Sequence, residues 1–314
     1  STFMAAIPYQ FYSILALFLI PIVAFGRHDF GFMAKAEEQA RLGLPQNIAD
    51  DEAILVSDDK KVSPWNMILP LVILLGTILV MFVSWGFPFQ NIPGSKIRIA
   101  LTSGYLLASI VCMIMITAQK LMSFKETFDV FIGGIQKMGS VLVVVVLAWG
   151  VGSVCKDLGT SQFIVDSTLG LITPHVVPAL LFLVGVIISF ATGTSWGAMA
   201  ILLPIGINMA VGFGVSIPMT IGAVLSGCLF GDHCSPISDT TVMSAMAAGC
   251  DLLEHTRTQL PYAGIAALAS FVAYLILGFT NANIWIMLVV ALALLIVFYL
   301  LSCRLWGVKA AESK

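Results

Sequence analysis

From Ser167 to Gly231 the chain carries no Asp, Glu, Lys or Arg, and the same holds from Val62 to Ser95 and from Thr258 to Cys303. A helix exposed to water needs a polar face, whereas a helix crossing the hydrocarbon core of a bilayer needs about 20 predominantly apolar residues. Runs of this kind therefore specify lipid as the surrounding solvent. The composition agrees: 10% of the 314 residues are charged, against about 25% in a soluble domain, and the mean hydropathy is +1.01. An ordinary globular enzyme, a nucleic-acid binder and a disordered regulator are excluded on this ground, and a net charge of −2 offers no basic patch to a polyanion. The fold class expected is all-α, a polytopic transmembrane bundle.

Candidate spans fall near 3–26, 65–85, 97–118, 138–155, 176–191, 195–212, 216–230, 262–280 and 283–303. The polar stretch Arg27–Ser63 reads as a solvated connector, with a short helix over Met33–Leu42 that stops at Gly43 and Pro45, then an acidic linker from Asp50 to Lys61. The expected organisation is thus 1–26, a connector 27–64, a membrane region 65–304 and a tail 305–314. Arg304, Lys309 and Lys314 after the last span put the C-terminus and the connector on the cytoplasmic side. Segments 123–140 and 157–174 are polar or short for crossing and are expected to be re-entrant or interfacial, as in transporters built from broken helices. The six cysteines show no zinc spacing and read as small buried hydrophobes.

Two motifs carry chemistry. In Ser189–Gly197, the residues Thr192, Gly193, Thr194 and Ser195 suit a helix that unwinds midway across, freeing carbonyls that join hydroxyls as hard oxygen ligands for Na⁺. A small-residue packing surface explains that segment equally well. In Gly231–Thr241, Ser235 is expected to cap a helix starting at Pro236, with Ser238, Asp239 and Thr240 in its opening turn. Carboxylates inside a membrane are expensive and mark function by default. The helix dipole favours a permanent negative charge at Asp239. Asp232, ahead of that helix, is the better carboxylate for proton/Na⁺ exchange. Na⁺ would then lie at Asp232, Asp239 and Thr194, with His233 and His255 as pH-sensing groups. Consecutive Asp232, His233 and Cys234 point in different directions and make a poor transition-metal site.

At these residues the sequence resembles the C-terminal part of the NhaC-type Na⁺/H⁺ antiporter family. The likeness rests on ATGTSWG (191–197), GDHCSPISDTT (231–241), HTRTQLPYA (255–263) and DFGFM (29–33), with IPYQFY (7–12) and LGTSQF (158–163) beside them. Phe32 departs from it, standing where proline is expected. The resemblance implies a multi-pass secondary transporter of a bacterial inner membrane, built from inverted repeats with broken helices, with residues 1–26 closing a first repeat. It also implies a homodimer, with no cofactor beyond the transported Na⁺ and H⁺.

Na⁺/H⁺ antiport by alternating access leads the functional readings. Na⁺- or H⁺-coupled movement of a small organic acid or amino acid is the alternative, the helix start at Ser235–Thr240 then holding the solute carboxylate. An intramembrane aspartyl protease is disfavoured because its dyad needs two facing carboxylates, and the chain lacks a filter-like loop for a channel. A transporter rather than an enzyme is expected.

Overall fold

A computed structural model describes residues 2–26, 28–42, 63–87, 90, 92–159, 163, 173–248 and 250–307. Among them the regular structure is helical, with one isolated bridge between Phe30 and Gly307. The chain divides into two compact units, residues 52–140 and residues 1–51 with 141–314.

In the smaller unit α4 (Trp65–Ser84) and α5 (Gly94–Ala118) form an antiparallel hairpin. Ala100, Gly104 and Ala108 give α5 a ridge of small buried side chains spaced by four, and a Cβ on Gly104 would sit 3.1 Å from Leu74. The amides of Asn66 and Gln119 exchange hydrogen bonds of 3.0 and 2.6 Å at the ends of the two helices. Helix α6 (Phe124–Asp157) is continuous, so 123–140 is not re-entrant. Lys125, Glu126, Thr127 and Asp129 occupy the first two turns of this 34-residue helix, where they need not lie in hydrocarbon. The segment expected at 157–174 falls mostly outside the described residues, as does the 50–61 linker.

The larger unit begins with α1 (Thr2–Ala6), a 3₁₀ turn at Ile7–Tyr9 and α2 (Phe11–Gly26), bent by 46°. Pro8 lacks an N–H and cannot continue the ladder, so the expected single span is broken near its N-terminal end. A short α3 (Gly31–Arg41) follows. Further on come α7 (Val177–Thr192), α8 (Ser195–Phe213), α9 (Ile217–Cys234), α10 (Asp239–Ala248), α11 (Leu252–Thr280) and α12 (Ile284–Trp306). Helices α4, α5, α8, α11, α12 and the run Pro174–Thr192 are each long and apolar enough to cross a membrane.

Helix α9 lies at the centre, buried without interruption from Met219 to Cys228. Its small residues make this possible. A Cβ on Gly222 would sit 2.5 Å from Tyr9, one on Gly227 would collide with the Phe182 carbonyl, and one on Gly231 would lie 2.5 Å from the Val186 carbonyl. Gly227 and Gly231 thus form a Gly-x-x-x-Gly face that brings α9 against the backbone of α7. Around it α2, α11 and α12 pack through Phe11, Tyr12, Leu15, Tyr274 and Leu295. The Tyr274 hydroxyl donates to the Tyr9 carbonyl at 2.6 Å, satisfying an acceptor that the bend leaves open.

Replacing Gly231 by Leu should destabilise the protein by about 3 kcal/mol or more, since the neighbour is backbone and cannot yield. Gly264→Ala, whose Cβ meets nothing within 4 Å, should leave thermal unfolding in detergent unchanged.

Candidate functional site

Two helix breaks face each other inside the larger unit. The first separates α7 from α8. Gly193 adopts a left-handed conformation with φ 65°, donating its N–H to the Ser189 carbonyl at 2.8 Å, and Thr194 then turns to an extended conformation as the N-cap of α8. Glycine is required at 193 for space as well as for backbone freedom, because a Cβ there would meet Ile237 at 2.7 Å.

The second break, Ser235–Ser238, separates α9 from α10. Here the sequence expectation is corrected. Ser235 does not cap a helix beginning at Pro236; α9 runs through Cys234 and the next helix starts at Asp239. Pro236 cannot donate to the Asp232 carbonyl, and its ring would crowd that oxygen in a continued helix, so Pro236 ends α9 instead of starting α10. Ser238 takes the capping place, its Oγ accepting from Thr240 N at 3.2 Å. Ser235 instead donates across to the Phe190 carbonyl at 2.8 Å, joining the two breaks.

Asp232 sits in the last turn of α9, buried at 6% exposure. Ser195, the first residue of α8, donates to Oδ2 at 3.1 Å, and Ser238 is 2.8 Å from Oδ1 as donor. Thr240 Oγ1 lies 2.8 Å from Ser238 Oγ and extends the cluster. The C-terminal end of α9 disfavours negative charge, but the first turns of α8 and α10 present their positive ends beside the carboxylate. Asp232 therefore does not lack helix-dipole support, contrary to its expected place ahead of a single helix. A buried carboxylate is tolerable only when hydrogen-bonded or paired, and here serine hydroxyls meet that need, with no basic side chain paired to it among the described residues.

The remaining expected residues lie outside this hydrogen-bonded cluster. Asp239 is exposed at the start of α10. Thr192 is exposed and returns its hydroxyl to the Ile188 carbonyl at 2.8 Å, while Thr194 Oγ1 accepts from Gly197 N at 3.5 Å. His233 Nδ1 is 3.1 Å from the Tyr12 hydroxyl, and its carbonyl accepts from Gln259 Nε2 at 3.0 Å. His255 stands in the first turn of α11 with its Nε2 buried and without a hydrogen-bond partner. The sequence reading included Ser189 in its motif without a site role, and the structure shows it buried and donating to the Cys228 carbonyl at 2.6 Å; Tyr12, Gln259 and the Phe190 carbonyl were missed. The Gly227/Gly231 spacing was the available signal that α9 approaches another backbone. Among the described residues no three His, Cys, Asp or Glu side chains converge on a metal position. The cluster offers only carboxylate and hydroxyl oxygens, hard donors suited to alkali cations and protons.

Removing the Ser235 hydroxyl in Ser235→Ala should lower stability by about 1–3 kcal/mol, because it strands the Phe190 carbonyl. Thr192→Val, on the exposed side of α7, should stay within about 0.5 kcal/mol of wild type in the same thermal or denaturant unfolding series.

A family model described as the Na⁺/H⁺ antiporter family matches residues 1–279. An uncharacterized protein of Haemophilus influenzae is 27% identical over 314 residues, which cover 96% of this chain and 59% of that protein. An arginine/ornithine antiporter of Halobacterium salinarum is 32% identical over 48% of this chain and 32% of its own length. A malate-2H⁺/Na⁺-lactate antiporter of Bacillus subtilis is 28% identical over 67% of this chain and 43% of its own length. The chain thus spans little more than half of the longest-matching of these relatives. No solved structure matches the chain significantly.

Proposed function

The chain belongs to the Na⁺/H⁺ antiporter family, matched over residues 1–279, and from that premise we propose that Asp232 is the group at which Na⁺ and H⁺ compete in a secondary transporter of alternating access. The observation that carries this reading is a buried carboxylate that, among the described residues, accepts from Ser195 and Ser238, at 3.1 and 2.8 Å, where two helix breaks meet. With Asp232 ionised, both hydroxyls turn their hydrogens to it. An entering Na⁺ replaces its hydration shell with a carboxylate oxygen and the hydroxyl oxygens of Ser195, Ser238 and Thr240, whose hydrogens rotate away. A proton arriving on Asp232 removes the charge that holds the cation, and Na⁺ leaves. One carboxylate thus holds either ion but not both, which is the condition for exchange.

The broken geometry supports the second requirement, movement. The Ser235–Phe190 bond ties the two breaks together, so α7–α8 and α9–α10 shift as a crossed pair while flanking helices stay in place. Asp239, exposed at the start of α10, acts as an anionic collar that raises the local cation concentration. The finer setting proposed is a bacterial plasma membrane, with Na⁺ and H⁺ as the transported species. His233, tied to Tyr12, and His255 are the groups proposed to tune activity with pH.

For the reconstituted protein, Asp232→Asn should reduce Na⁺-driven proton release to the level of empty liposomes, because an amide cannot exchange a proton for a cation. Asp239→Asn should retain exchange at saturating Na⁺ and need more Na⁺ to reach it. Equal loss in both variants would remove the distinction drawn between the two carboxylates.

A second reading is favoured by the similarity to the malate-2H⁺/Na⁺-lactate antiporter over 67% of this chain. In it an organic anion binds near the first turn of α10, and Na⁺ or H⁺ uses Asp232 as before. Sodium flux that appears only with malate, lactate or an amino acid in the opposite compartment would establish it. Flux indifferent to all of these establishes simple Na⁺/H⁺ exchange.

A further inference from the structure

A groove of about 590 Å³ opens between α3, the first half of α11 and the last turns of α12. Phe32, Pro261, Leu268 and Trp306 make its walls apolar, and Lys35 stands at its edge. Its floor is kept open by Gly264, where a Cβ would meet nothing within 4 Å. Phe32, Leu268 and Trp306 are exposed by 51, 50 and 65%, so the groove is open along its length.

The position of the groove restricts what covers it. Helices α11 and α12 are long and apolar enough to cross a bilayer, and Arg304 and Trp306 at the end of α12 mark the level of the headgroups. Helix α3 has 11 residues, too few to cross, with Lys35, Glu37, Glu38 and Arg41 among them. The groove therefore runs from hydrocarbon to interface, and a matching occupant is apolar at one end and polar at the other.

Charge selects the polar end. Lys35 is the charged residue that lines the groove, and among the described residues it has no ion pair; Glu37 pairs with Arg41 at 3.0 Å, Asp29 accepts from the Tyr262 hydroxyl at 2.6 Å, and none of Asp29, Glu37 and Glu38 lines the groove. We propose that this groove binds one anionic phospholipid, an acyl chain lying along Phe32, Pro261 and Leu268 and the headgroup phosphate meeting the Lys35 ammonium. A lysine at a membrane surface attracts anionic lipid with an energy that corresponds to roughly a fivefold preference over a zwitterionic one.

Native mass spectrometry of the detergent-purified protein, titrated with phosphatidylglycerol or with phosphatidylcholine of identical chains, tests the assignment. One phosphatidylglycerol should be retained per chain at about fivefold lower concentration than phosphatidylcholine. Lys35→Glu, a substitution on an exposed helix face, should abolish that preference. Gly264→Leu, which fills the floor, should lose retention of both lipids with an unchanged unfolding temperature. Equal retention of the two lipids by the wild type would overturn the proposal, as would an unchanged preference in Lys35→Glu. A lipid-free dimer that Gly264→Leu dissociates would overturn it too, by making a second copy the occupant.

Discussion

The backbone-level contact between α7 and α9 is the constraint on which the rest of this molecule depends. Gly227 and Gly231 remove the side chains that would hold the helices apart, so the Phe182 and Val186 carbonyls of α7 lie directly on α9. Apolar side chains gain nothing by leaving lipid for one another, and close packing of small residues is what drives helices together in a bilayer. Once the two cross at this distance, their ends are fixed relative to each other. Ser189 then reaches the Cys228 carbonyl and Ser235 reaches the Phe190 carbonyl, so each break completes the hydrogen bonding of the other. Neither break would be tolerated alone at membrane depth, where unpaired backbone groups find no water.

The carboxylate follows from that crossing. Asp232 comes one residue after Gly231, so it is carried into the interior by the same close approach. There it meets Ser195 and Ser238, each from the first turn or cap of a helix that a break has just started. Interrupted helices thus supply hydroxyl donors together with the positive ends of two dipoles. A lysine or arginine partner would neutralise the carboxylate permanently and exclude a cation. Serine hydroxyls stabilise the charge yet rotate to present lone pairs, which is what the proposed exchange at Asp232 requires.

The outer helices are organised on a different principle. Tyr262, Tyr299 and the Phe30–Gly307 bridge fasten the turn after α2 to α11 and α12. This strap places the polar α3 against two apolar spans, and the lipid groove is its by-product: a short charged helix cannot cover what a full span would cover.

Much of this was legible in the chain itself. The uncharged runs fixed the solvent and therefore the helices, because a bilayer permits few other ways to pair backbone N–H and C=O groups. The residue chemistry of 189–197 and 231–241 marked both breaks, and Asp232, Ser195 and Ser238 stood out there by residue type as candidate site residues. The sequence did not reveal which partners meet, because hydrogen bonds between residues 37 positions apart depend on the crossing of α7 and α9, not on local pattern. For the same reason the roles at 235–238 were misplaced: Ser-Pro reads locally as the start of a helix, whereas packing of Gly231 carries α9 onward to Cys234 and leaves Ser235 to bridge. The position of Asp239 outside the cluster was likewise a tertiary outcome. Sequence determined which chemical groups lie in the membrane; the close approach of two glycine-lined helices decided which of them face one another.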